Sequence, residues 1–260
     1  MLRETSRVRS ILKKIAAALF ISVLLLSSYG FAQDVQSIQD ISLPEGFERI
    51  EYQSGSYPSF LRNLPLKLNK EILKWDGDKL NSVWMLYDVL AVLKIPLLYN
   101  EDIEQCADFS MRLWSEYLQE IDQLDKLYLF DYSGNSKPFS ESGKSFNKYL
   151  RWHMAFSNSH SIKKGAAIVP ADSLRPGDMF VQNESGGIGH VSVIVDAAQN
   201  AVGEPIFLVG FGYMPAQEFH IEKAKQRYGP DGWFTLGGYK EFLGGLQFRR
   251  YGEPHLMRYK

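Results

Sequence analysis

The 260-residue sequence predicts an α+β protein, with helices in the first half of the mature chain packed on an antiparallel sheet built from the second half. Two patterns and one count carry this reading. In residues 99–121, Ile103, Cys106, Phe109, Leu113, Tyr117 and Ile121 recur at spacings of three and four, one face of a helix of period 3.6. From residue 166 onward, "AAIVP", "DMFVQN", "GHVSVIVDA", "PIFLVGF" and "AQEFHI" are short, β-branched or aromatic runs separated by Gly, Pro, Asn and Asp, the pattern of strands. The count is a single cysteine, which excludes a disulfide framework, so a chain that is 45% hydrophobic and 13% aromatic must be held by its core.

The elements follow in order. A basic leader (Arg3, Arg7, Arg9, Lys13, Lys14) precedes the apolar run Ile15 to Leu26 and then "SSYGFAQ", where Gly30 and Ala32 suit the small-residue positions before a cleavage site. Residues 1–32 are therefore expected to be a secretory signal peptide, since the run falls short of the roughly 20 apolar residues that a membrane span needs. No cysteine follows it to carry a lipid. The expected product is a periplasmic protein beginning at Gln33, with no integral membrane span after cleavage and residues 33–260 in a single domain. Removing a leader with five Lys/Arg and one Glu takes the net charge from −1 to about −5, which excludes a nucleic-acid partner.

In the mature chain, "QDVQSIQDISLPEG" reads as a polar arm and residues 46–68 as a strand followed by a short helix. Residues 79–93, "KLNSVWMLYDVLAVL", read as an apolar helix, and residues 99–121 as a second one with Asn100 as N-cap and Glu101 and Asp102 in its first turn, where the helix dipole favours anions. "DYSGNSKPFSESGKS" has the composition of a loop and "FNKYLRWHMAFSNSH" that of an amphipathic helix. "SGKS" is not a phosphate loop, because the glycine required five places before Gly143 is Pro138.

Cys106 sits near a helix start, one of the two usual means of lowering a thiol pKa. The other is an imidazole, and Glu101, Asp102 and Glu104 oppose ionisation strongly enough to make one necessary. Among the five histidines, His190 is best placed: it follows the glycine-rich "NESGGIG" and opens the strand "HVSVIVD". His153 and His160 stand seven apart and form no metal-ligand spacing, and "KWDGDKL" lacks the further ligands of a calcium loop, so neither metal nor cofactor is expected. Arg249 and Arg250 read as a solvated strand face.

"LRPGDMFV…GHVSVIVD", preceded by a cysteine on an earlier helix, resembles the NlpC-type cell-wall cysteine peptidases of the papain-like group. Over a longer span, "FLRNLPLK", "QCADFSMRLWSEYL" and "YMPAQEFHI" resemble an uncharacterised bacterial envelope family, domain of unknown function 4846. The first resemblance implies a papain-like core in which Cys106 is the nucleophile, His190 its base, and a polar residue on the next strand the orienting group. This chain offers Phe211 at that third place, leaving Gln217, or alternatively His220, to fill the role. The implied function is an exported cysteine peptidase or amidase acting on peptidoglycan or another envelope peptide. The alternative is an inactive envelope-binding module that keeps the cleft. A glycan hydrolase with paired carboxylates ranks last, since no pair is recognisable. The catalytic reading requires the Cys106 sulfur within about 4 Å of a His190 ring nitrogen.

Overall fold

Strand β7 (His190–Asn200) is buried over its first nine residues, and the architecture is built around it. Its alternation sends Val191, Val193 and Val195 to one face and Ser192 and Ile194 to the other, so each face needs its own cover. The computed structural model describes residues 36–81 and 85–260. Residues 1–32, and with them the expected signal peptide, lie outside the described residues.

One antiparallel sheet runs in the order β2 (Asp88–Val92), β9 (His220–Lys223), β8 (Pro205–Phe211), β7, β6 (Met179–Gln182), β10 (His255–Arg258) and β5 (Ala167–Ile168), and β1 (Phe47–Arg49) pairs with the far end of β7. A separate hairpin joins β3 (Tyr128–Phe130) to β4 (Ser136–Pro138). Helices α1 (Tyr57–Arg62), α2 (Cys106–Glu120), α3 (Phe146–Phe156) and α4 (Ser159–Gly165) precede most of the sheet, and α5 (Leu236–Leu243) follows β9. This is an α+β arrangement with an antiparallel sheet.

The valine face of β7 packs in one core with Phe109 and Leu113 of α2 and Tyr149 and Leu150 of α3. The opposite face, with Phe180, Ile194, Phe207 and Phe211, packs with Tyr239 and Leu243 of α5 and with Phe248. Burying each such side chain contributes about 1.5–3 kcal/mol, so two covered faces supply what one cysteine cannot. Helix α2 is buried without interruption from Cys106 to Leu113, more than a one-sided stripe requires, because α1, α3 and the sheet enclose it.

Four expectations are corrected. The arm expected at 33–46 is anchored over its described residues, 36–46, since Ile38 and Ile41 are buried and the Ile38 N–H donates to the Leu64 carbonyl. Residues 88–92 of the expected 79–93 helix form strand β2, because β9 leaves an edge open and β-branched Val89 and Val92 fit a pleated surface; residues 82–84 lie outside the described residues. Helix α2 starts at Cys106, with Gln105 rather than Asn100 as its N-cap, and the Gln105 N–H donates to Asp108 Oδ2 at 2.9 Å. Arg249 and Arg250 belong to a 3₁₀ turn, not a strand, and Arg250 donates to the Tyr251 hydroxyl.

Candidate functional site

Cys106 is the first residue of a fifteen-residue helix, and the loop before it is tied down by its own acidic side chains. Asp102 Oδ1 accepts from the Ala216 N–H at 2.5 Å and from Gln105 Nε2 at 3.0 Å, which binds the "PAQ" segment to the helix start. Glu104 is buried, accepts from the Leu98 N–H at 2.6 Å and pairs with Arg112 at 2.5 Å. These carboxylates are fastenings for distant segments rather than a first helical turn, which is why they misplaced the N-cap.

The sulfur lies against the backbone on both sides of His190. Its hydrogen is directed to the Gly189 carbonyl at 4.0 Å, and the Val191 N–H points at the sulfur. Pairing of β7 with β8 begins only at Val193, so the backbone groups of Gly189 and Val191 that face β8 have no strand partner there. The thiol fills that split in the ladder. Gly189 must be glycine: a Cβ would stand 2.2 Å from Ser159 Oγ and 2.3 Å from the Gln182 carbonyl.

The His190 ring lies on the face of the sheet opposite Val191, beside the aromatic cluster that also takes in Cys106. It packs edge-on against Phe211 and tilted against Phe248, each with ring centroids 4.5 Å away, with Tyr213 and Tyr251 beyond. Neither ring nitrogen has a hydrogen-bond partner, so the expected thiol–imidazole hydrogen bond is not formed in this structure. Burial pushes the Cys106 thiol up to about 12, with the Val191 N–H opposing and Asp108 reinforcing the shift. Burial, then the neighbouring His220, pulls His190 down to about 3. Both groups are uncharged at neutral pH.

Neither candidate for the third position hydrogen-bonds to His190. Gln217 is buried and its Oε1 has no partner. His220 is committed elsewhere: Nδ1 donates to the Glu218 carbonyl and Nε2 accepts from the Tyr87 hydroxyl, both at 3.0 Å, which fixes the Nδ1–H tautomer because a carbonyl can only accept. Phe211 stands between the two imidazoles, 5.1 Å from His220.

A cleft of about 470 Å³ opens at the thiol, lined by Asp102, Gln105, Asn158, Ser159, Ile188 and Met214 among others. Its glycine-rich wall is stapled by Asn183, which donates to Ser159 Oγ and to the Gly187 carbonyl, both at 2.8 Å, and accepts from the Gly186 N–H. Sequence reasoning missed Asn183, Ser159 and Met214; only the glycines of "NESGGIG" signalled this wall. Among the described residues no three His, Cys, Asp or Glu side chains converge as a metal site would require. No helix among them is long and apolar enough to cross a membrane.

Residues 37–141 and 130–251 match a family described as a domain of unknown function (4846), and the chain belongs to that family. No curated protein and no solved structure matches it.

Proposed function

We propose that this is an exported, periplasmic envelope-binding module of papain-like design, whose Cys106 cleft holds an envelope peptide, such as a peptidoglycan stem, without hydrolysing it. One observation carries the reading: His190 faces Phe211 where an orienting polar group is needed, and has no hydrogen bond to any residue. A nucleophile needs a thiolate, and a base needs a tautomer fixed by a partner. Binding needs neither. The N–H groups of Cys106 and Ala107 lie close to the sulfur and, at the positive end of α2, suit a carbonyl or carboxylate oxygen of the ligand.

Hydrolysis by a Cys106–His190 pair is the second reading, favoured by the two unpartnered His190 nitrogens and by the seat of the thiol against the backbone on both sides of that residue. Incubation with purified peptidoglycan, followed by co-sedimentation and mass analysis of the supernatant, separates the two. Retention with no released fragment is expected. Fragments that disappear on Cys106→Ala would establish the peptidase or amidase instead, and neither retention nor release would overturn both.

A further inference from the structure

A second cleft, of about 520 Å³, is lined by Ala167 and Ile168 of β5, the terminal strand of the sheet, and by the end of β10. Tyr57, Trp114 and Tyr117 line it together with Arg175 and Arg258. The geometry points to a second binding site that takes an extended peptide carrying an acidic side chain, added as a strand beside β5.

The backbone makes the first part of the case. Ala167 and Ile168 lie opposite Arg258 and Met257, and the Val169 N–H donates to the Leu256 carbonyl at 2.9 Å. In an antiparallel ladder hydrogen-bonded and non-bonded pairs alternate, so Val169 and Ala167 turn their polar groups to β10 while the N–H and C=O of Ile168 face outward. Ile168 is 82% exposed, and β5 ends the sheet, so no strand pairs with this edge. An open edge is a template for another strand.

Side chains make the second part. Tyr57 stands T-shaped to Trp114 at 5.2 Å and tilted to Tyr117 at 5.0 Å, so the three rings brace one another into an apolar wall for alternate ligand side chains. Asp178 is already compensated, accepting from Arg258 at 2.5 and 2.7 Å and from the Arg175 N–H at 2.9 Å. The exposed Arg175 guanidinium has no acidic partner among the described residues, which leaves a positive charge for the ligand. A neutral glycan can stack on the rings and hydrogen-bond through its hydroxyls, but it neither neutralises Arg175 nor continues the ladder at Ile168, whereas an acidic peptide does both. Trp114 and Tyr117 lie eight and eleven residues beyond Cys106 on α2, roughly 12–16 Å along the axis, so this site is separate from the Cys106 cleft.

The test is panning of a phage-displayed random peptide library on the full chain, with selected peptides resynthesised and their affinity read by fluorescence anisotropy. Binders with an acidic residue are expected. Ile168→Pro, which removes the outward N–H, should weaken them about three- to tenfold. Arg175→Glu, at an exposed position that leaves folding intact, should weaken them about fivefold. The proposal is overturned if no peptide is selected, if selected peptides bind both variants as tightly as the parent, or if chitotetraose rather than peptide occupies the site.

Discussion

Phe211 meets His190 edge to face, the ring planes at 88°, on the face of the sheet opposite the valines that receive α2. A phenyl ring has no lone pair to accept from an imidazole N–H, so burial acts on His190 unopposed and depresses it to about 3. Phe211→Gln should supply that acceptor and raise the His190 titration midpoint toward the ordinary histidine value near 6.5, followed through the ring carbon-bound hydrogens by NMR. The lost packing should cost about 2–4 kcal/mol. A parent protein in which His190 already titrates near 6.5 would contradict this account.

Cys106 should behave as a buried core thiol. With its pKa pushed up to about 12, alkylation by iodoacetamide should be very slow at pH 7 in the folded protein and rapid once the chain is denatured. The rate should still be rising above about pH 9, past the free-thiol midpoint near 8.5. A folded-state midpoint below about 7.5 would instead reveal an activated nucleophile.

The helix stripe and the strand runs were legible because burial imposes period on sequence: Phe109 and Leu113 are fully buried, strands β6 and β8 fall within the apolar runs that announce them, and β7 continues from its run as far as Asn200. The start of α2 was not, since Glu101, Asp102 and Glu104 look alike in sequence whether they cap a helix or fasten remote segments such as Ala216 and Arg112. Strand β2 was hidden because a short apolar run carries no period of its own, and only its pairing with β9 decides its state. At the candidate site, the glycines announced the approach of strand to helix. Which face takes the His190 ring depends on where α2 lands on the pleat, and that is a long-range outcome.

Asp196 is a further buried fastening, invisible in sequence. It is fully buried in β7 and pairs with Arg49 at 2.8 Å and Arg62 at 2.6 Å, tying β1 and α1 to the sheet. Asp196→Ala would strand the buried Arg62 guanidinium and should cost about 3–5 kcal/mol in urea unfolding. Arg49→Ala, at the more exposed partner, should cost about 1 kcal/mol. Equal losses would mean that removing Asp196 does not strand a buried Arg62 charge as described.

Glu222 lies on the same face as His220, and neither of its carboxyl oxygens has a partner. Burial, with Asp88 adding to it, holds its pKa well above the ordinary value, so the folded chain keeps a proton that the unfolded chain releases. Its contribution is full below about pH 4.5 and is lost as pH rises. Glu222→Gln removes that loss, so the variant should gain on the parent by up to about 1.4 kcal/mol per pH unit above pH 4.5, until the folded-state pKa is reached. A difference that is constant between pH 5 and 8 would show that Glu222 is ionised in the fold.

His190 gives the opposite sign, and the sign distinguishes the two functional readings. Its folded pKa is depressed to about 3, so it contributes stability above the ordinary value near 6.5 and loses it as pH falls toward 3, because the unfolded chain takes up a proton that the folded one refuses. His220, depressed to about 4, and His153, also to about 4, act in the same direction, while Glu222 and Asp108, both raised, oppose them. Glu104, raised, and His160 and His255, lowered, add to the mixture that total stability reports against pH. Comparing the parent with His190→Phe cancels the other groups, and the aromatic surroundings of Phe211 and Phe248 accept a phenyl ring in that place. The variant should gain on the parent by up to about 1.4 kcal/mol per pH unit from about pH 6.5 down to 3, read from urea unfolding at each pH. Were His190 instead held as an imidazolium beside a Cys106 thiolate, its folded pKa would lie above 6.5. The parent would then gain on the variant as pH falls toward 6.5 and hold that gain below it, so the direction of the trend alone decides between a cleft that binds and one that cuts.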